Sequence, residues 1–139
     1  PDYQQQTASQ IPGLNNQYST GYRQSPDLAA SAEYDMVYMN GQWGAGGGTS
    51  AAAPIVAGGM AVMVGALRYA HHGHFFYGPG AFYNAQANFA QDHPFYGVTQ
   101  GANYTYAATS GWNYLTGLGA PNFFNYYQCL QQMLPSNMR

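Results

Sequence analysis

No lysine occurs in these 139 residues, and the only arginines are Arg23, Arg68 and Arg139. Three scattered cations cannot form a phosphate-binding stripe, so nucleic acid is excluded as a partner on charge grounds. Acids are as scarce: Asp2, Asp27, Glu33, Asp35 and Asp92. Charged residues make up 6% of the chain against about 25% in an average globular protein. The surface must therefore be solvated by Gln, Asn, Ser, Thr and Tyr. A chain with few carboxylates loses few native ion pairs when the pH falls and gains little positive self-repulsion. That composition suits service in acid; a neutral polar surface or an embedded subunit reads the same way. Cysteine occurs once, at Cys129, which excludes an intrachain disulfide. A lone thiol is either a small buried hydrophobe or a link to another chain. The chain opens on Pro1-Asp2-Tyr3, with neither Met nor signal peptide, and so the expectation is a chain cut from something longer.

What is present is aromatic and flexible: 14 Tyr, 7 Phe and 18 Gly. The length fits about one domain. Residues 1–26 are rich in Gln, Asn, Ser and Gly and read as an ordered loop or surface arm. Tyr34 to Met39 alternates as a strand, Asn40-Gly41 is a two-residue hairpin signal, and Gln42-Trp43 begins the return strand. From Ser50 to Arg68 runs the longest apolar stretch. Ala51 to Leu67 carries no charge but falls just short of a membrane span. Its alanines and glycines predict a helix buried in a globular core, with no membrane span, and Pro54 placed within the first turn or so. A short helix is expected near Gly80 to Asn88, a strand and a loop over 95–110, and a last helix over Phe123 to Leu134, with Phe123, Phe124, Tyr127, Leu130 and Leu134 at helical spacing. The sequon Asn103-Tyr104-Thr105 makes Asn103 a glycosylation acceptor and favours secretion.

The segment that carries chemistry is Gly46-Gly47-Gly48-Thr49-Ser50-Ala51-Ala52-Ala53-Pro54. Glycines bring the backbone sharply to a helix start, where N–H groups are unpaired and the helix dipole is positive. A Ser50 alkoxide or a tetrahedral oxyanion would be stabilised there. Serine is also the ordinary N-cap residue, and on spacing alone the structural cap stands beside the nucleophile.

Gly-Thr-Ser-x-x-x-Pro before an apolar helix resembles the active-site serine segment of subtilisin-like folds. Arg23-Gln24-Ser25-Pro26-Asp27-Leu28-Ala29-Ala30-Ser31-Ala32 resembles the Arg-x-x-Pro-Asp-Val-Ser-x-x-Ala segment of the sedolisin family. Ser110-Gly111-Trp112-Asn113-Tyr114-Leu115-Thr116-Gly117-Leu118-Gly119-Ala120-Pro121 is similar to that family's Gly-Trp-Asp-x-x-Thr-Gly-x-Gly-x-Pro ending. Gly78 to Tyr83 fits a further family segment only loosely.

The resemblance implies an α/β fold, the C-terminal part of a subtilisin-like domain: a mainly parallel sheet flanked by helices, with a buried helix following the catalytic Ser50. Residues 1–139 would form the C-terminal portion of one peptidase catalytic domain, with no second domain. It implies a serine-carboxyl peptidase, endopeptidase or tripeptidyl peptidase, that hydrolyses protein or peptide bonds at acidic pH through an acyl-enzyme on Ser50, with Gly48 and Thr49 forming the nucleophile and oxyanion loop. The activating Glu, its Asp partner and the oxyanion Asp belong to upstream segments, so the implied partner is the N-terminal portion or heavy chain of the same precursor. Glu33 and Asp35 match no catalytic position of the family. A carboxylate base suits acid, where an imidazole would be protonated, and the implied location is extracellular or an acidic, lysosome-like compartment.

The family's calcium site falls on Gly97, Val98, Thr109, Gly111 and Asn113, and both of its carboxylates are missing here, so no cofactor is expected: calcium affinity follows ligand charge. His71-His72-Gly73-His74 matches no strong zinc pattern and reads as a solvated loop. Two other readings remain: a non-catalytic pseudoenzyme or structural module with this fold, and a fragment of a subtilisin-type serine protease, against which Ala51 and Ile55 stand where that family has Met and His.

Overall fold

The computed structural model describes residues 1–71 and 78–135. In chain order these form α1 (Asp2–Thr7), the hairpin strands β1 (Asp35–Met39) and β2 (Gln42–Gly46), α2 (Thr49–His71), α3 (Pro79–Asn88), a single 3-10 turn (Ala90–Asp92), β3 (Phe95–Tyr96), β4 (Ala120–Pro121) and α4 (Phe123–Met133). The mixed helix and strand content is that of the expected class. The sheet is not: β1 pairs antiparallel with β2 and β3 antiparallel with β4, and no parallel pair occurs among the described residues. The reason is local for the first pair. Met39 pairs with Gln42, and Asn40 and Gly41 both take positive φ, 53° and 80°, which is the two-residue turn that joins antiparallel strands only.

The core gathers Ile11, Leu14, Leu67, Tyr83, Trp112, Tyr126, Cys129 and Leu130. The N-terminal segment, expected as a loop or arm, is instead built into this core: α1 buries Gln4 and Thr7, and Ile11 and Leu14 follow it inward. Two glutamines make this possible. Gln4 Nε2 donates to the Gln24 carbonyl and to Tyr83 Oη, both at 2.8 Å, and Gln4 Oε1 accepts the Gln24 N–H. Gln24 Nε2 donates to the Leu14 carbonyl, and its Oε1 accepts the Tyr114 hydroxyl. A buried amide is tolerated only when its donors and acceptors are met. Gln24→Ala removes several of these bonds at once and is expected to cost about 2–4 kcal/mol, measured as a shift in urea midpoint with an unchanged m-value.

Helix α4 turns most of its expected apolar face inward: Leu130 and Leu134 are buried and Phe123 and Tyr127 pack on the core, with Phe124 the exception. Tyr126, Cys129 and Leu130 are buried, whereas Phe124 is 71% exposed. Burial pushes the Cys129 thiol upward, with Asp92 adding to the effect, so this cysteine is a packed, inert thiol. Asn122 caps the helix by accepting the Asn125 N–H.

Helix α2 departs furthest from expectation. Over its described side chains, residues 49–70, only Met63 and Leu67 are buried, and Val62 is 73% exposed. Thr49–Ala70 is long and apolar enough to cross a bilayer by length and composition. Beside it, Met36, Tyr38, Met39 and Trp43 of the hairpin are also more than half exposed. Apolar surface of this extent marks a face that another layer of protein or a ligand covers. Because the helix starts at Thr49, Pro54 falls in the second turn instead of the first, and the Ser50 carbonyl lacks the N–H that residue 54 would have donated.

Candidate functional site

The three motif segments meet through backbone contacts. The Leu118 N–H donates to the Asp27 carbonyl at 2.9 Å, and the Ala29 N–H to the Gly119 carbonyl at 3.0 Å. Gly117, at φ +61°, sits so close that a Cβ would lie 2.3 Å from the Asp27 carbonyl oxygen. The segment after Pro26-Asp27 then runs to the serine loop, where the Gly48 N–H donates to the Ala32 carbonyl at 2.6 Å. A Cβ on Gly47 would meet that same carbonyl at 2.7 Å. Thus the Trp112–Pro121 loop positions residues 27–32, and residues 27–32 position the start of α2.

Ser50 stands in the first turn of that helix. The Gly48 carbonyl accepts the Ala51 N–H at 2.8 Å and the Ala52 N–H at 3.3 Å, so Gly48 occupies the N-cap position and Thr49 and Ser50 the first two helical positions. Ser50 is therefore not the N-cap residue. Gly48 holds φ +109°, and a Cβ there would lie 3.4 Å from Ser50 Oγ. The Thr49 and Ser50 N–H groups have no acceptor inside the helix, and the dipole places roughly half a positive charge at this end. Ser50 is exposed, with no hydrogen bond from its side chain among the described residues. An open groove of about 400 Å³ borders the same turn, lined by Leu28, Ala30, Thr49, Ala53, Val56 and Phe82.

Asp27 also lines this groove, and Glu33 lies beside Gly47, where an added Cβ would come within 3.3 Å of the Glu33 Cα. Asp27 pairs with Arg23 and accepts the Tyr83 hydroxyl at 2.9 Å. Asp35 accepts the Ser31 hydroxyl, and its other oxygen is buried without a partner. Tyr83 is a residue that sequence reasoning missed. Burial, more than the neighbouring Asp27, raises its pKa, and it stays a neutral donor. Nothing in the sequence distinguishes it from the chain's other tyrosines. Arg23 is held charged above its ordinary range, chiefly by Tyr3.

Of the calcium-matching positions, Val98, Thr109 and Asn113 meet, and they do so around an amide. Asn113 Nδ2 donates to the Val98 carbonyl at 3.2 Å and the Thr109 carbonyl at 3.1 Å. Its Oδ1 accepts the N–H groups of Leu115 and Thr116 and the Thr116 hydroxyl. Gly97 is exposed, and Gly111 at φ +80° packs on the Pro12 carbonyl. No cluster of three His, Cys, Asp or Glu able to hold a metal occurs among the described residues. His72 and His74 lie outside the described residues, and His71 ends α2. Asn103, the sequon acceptor, is exposed, with its side-chain oxygen turned to the Thr105 and Tyr106 N–H groups.

Comparison with known proteins gives two findings. The chain is 32% identical over 136 residues to tripeptidyl-peptidase 1 of Dictyostelium discoideum, an alignment that covers 88% of this chain and 22% of the relative. Its fold superposes on Pseudomonas sedolisin, a serine-carboxyl proteinase solved in complex with two molecules of pseudo-iodotyrostatin, with a TM-score of 0.70 and 27% identity over 95% of this chain and 34% of that one. No protein-family model matches the chain. The chain thus spans between about a fifth and a third of the relatives it resembles.

Proposed function

Since this chain belongs to the sedolisin family, we propose that it supplies the nucleophile of a serine-carboxyl peptidase, with Ser50 as the attacking group. The observation that carries this reading is the place of Ser50: inside the first helical turn, behind a glycine N-cap, exposed, and with no side-chain hydrogen bond among the described residues. The hydroxyl adds to a peptide carbonyl. Its proton passes to a carboxylate base, the leaving amine departs protonated, and water then hydrolyses the acyl-enzyme. The unpaired N–H groups and dipole of the α2 N-terminus add positive potential where the oxyanion forms.

The base and the oxyanion Asp come from the N-terminal portion or heavy chain of the same precursor. Support for such a partner lies in the uncovered apolar surface of α2 and the hairpin, which the larger part of a catalytic domain would cover, and in the limited share of the relatives that this chain spans. The same cover accounts for α2 without a bilayer. Substrates are proteins or peptides, cleaved as an endopeptidase or tripeptidyl peptidase in an acidic compartment or outside the cell.

A peptide aldehyde at acidic pH tests the assignment. The Ser50 Oγ adds to the aldehyde carbon and its proton moves to the new hemiacetal oxygen. Native mass spectrometry of the intact protein is expected to show one inhibitor mass on this chain, absent in Ser50→Ala. An intact assembly that binds no aldehyde would favour the pseudoenzyme reading.

A further inference from the structure

The chelating carbonyls of an absent or present cation must be satisfied by something, and here they face a side chain. We propose that the Asn113 amide is a built-in replacement for calcium, bridging by its Nδ2 the Val98 and Thr109 carbonyls that a cation would otherwise draw together. The orientation of the amide is fixed by its surroundings. Three donors converge on Oδ1, from Leu115 N–H, Thr116 N–H and Thr116 Oγ1, at 3.1, 3.0 and 3.1 Å. Only the nitrogen can then face the two carbonyls. An aspartate in this place would keep the three donors on one oxygen and press its other oxygen against two carbonyl oxygens. That arrangement is repulsive unless a cation stands between them. With asparagine, the two N–H bonds point their positive ends to where the cation would be.

The donor set agrees with this. A calcium ion takes six to eight oxygens, and its affinity rises with their negative charge. The five matching positions offer carbonyls and one amide, and no carboxylate. Since Asn113 is buried at 4% exposure, it locks the 98, 109 and 113–117 segments together, and through Gly117 and Leu118 it reaches the Asp27 segment that supports the serine loop. The calcium-free lock is a property of the loop itself and does not depend on Ser50 being catalytic.

A carboxylate side chain can be added at Gly97 without a clash at its Cβ, which would meet nothing within 4 Å. The test is thermal unfolding and calcium calorimetry on the intact natural protein and on two variants. The wild type is expected to show the same Tm in chelator and in millimolar calcium, and no calcium heat. Asn113→Asp is expected to lower Tm by about 5–10 °C in chelator, since two donated bonds become repulsions. Gly97→Asp/Asn113→Asp is expected to bind one calcium and to recover that loss when calcium is added. A wild-type Tm that falls in chelator, or wild-type binding of one calcium, would overturn the proposal even if neither variant folds. So would an Asn113→Asp protein whose Tm in chelator matches the wild type.

Discussion

Replacing Ser50 by alanine is expected to lower kcat for peptide hydrolysis by on the order of 10⁴–10⁶-fold, with Tm unchanged within about 2 °C. The magnitude follows from removing the atom proposed to form the covalent intermediate, which would leave only binding and oxyanion stabilisation. The stability half of the expectation comes from this structure. Ser50 is exposed, and Gly48 instead of Ser50 occupies the N-cap position, so the substitution deletes no cap and leaves no buried group unpaired. Were Ser50 the cap, alanine would cost about 1 kcal/mol of stability. Steady-state kinetics at acidic pH, paired with calorimetry, separates the two roles. A large loss of Tm with little loss of kcat would return Ser50 to the structural reading.

Gly117→Ala is expected to destabilise the protein by about 3–5 kcal/mol and to lower activity with it. Two costs add. An alanine at φ +61° is strained by roughly 1–2 kcal/mol. Its Cβ would also press on the backbone at residue 27, 2.3 Å from the Asp27 carbonyl oxygen. That contact has no flexible side chain to give way. Moving Asp27 disturbs the Leu118 and Ala29 hydrogen bonds, the Tyr83 hydroxyl and, further along, the Ala32 carbonyl that holds Gly48. Urea unfolding measures the first effect, and kcat of the fraction still folded measures the second. Gly21→Ala is the matched control, since Gly21 shares a positive φ of 80° but has open space around its Cβ position. It should lose only the strain, and equal losses at both sites would show that crowding at Asp27 has no weight.

Much of the local structure was legible in the residues. Asn40-Gly41 announced a tight hairpin because so few residues accept two successive positive φ values. The short helix expected near Gly80 to Asn88 and the last helix expected over Phe123 to Leu134 occur as Pro79–Asn88 and Phe123–Met133, and the pattern of glycines before Ser50 pointed to a sharp entry into an apolar helix. Three short segments in order were enough to suggest the family, and the likeness to a solved sedolisin and to a tripeptidyl-peptidase accords with that resemblance. The polar N-terminal segment was less legible, since buried Gln4 and half-buried Gln24 are held by partners that are distant in sequence: Tyr83 lies 79 residues from Gln4, and Tyr114 lies 90 from Gln24. Burial of an amide depends on where its acceptors lie, and periodicity carries no trace of that. Likewise Phe124 fits the apolar spacing of α4 yet points outward, because a helix side is buried by its neighbours and not by its own pattern.

By itself the sequence determined the hairpin, the helix behind Ser50, the loss of both carboxylates at the calcium-matching positions and the absence of a basic surface. These depend on residue type and on neighbours a few positions away. Only the tertiary structure decided that Gly48 is the cap and that Ser50 makes no side-chain hydrogen bond among the described residues, that these residues leave most of α2 uncovered, that the described strands pair antiparallel, and that Asn113 turns its nitrogen toward two carbonyls. Each of those turns on which groups from distant segments meet. A hydrogen bond or a packed face is a relation between two parts of the chain, and composition at one of them does not specify the other.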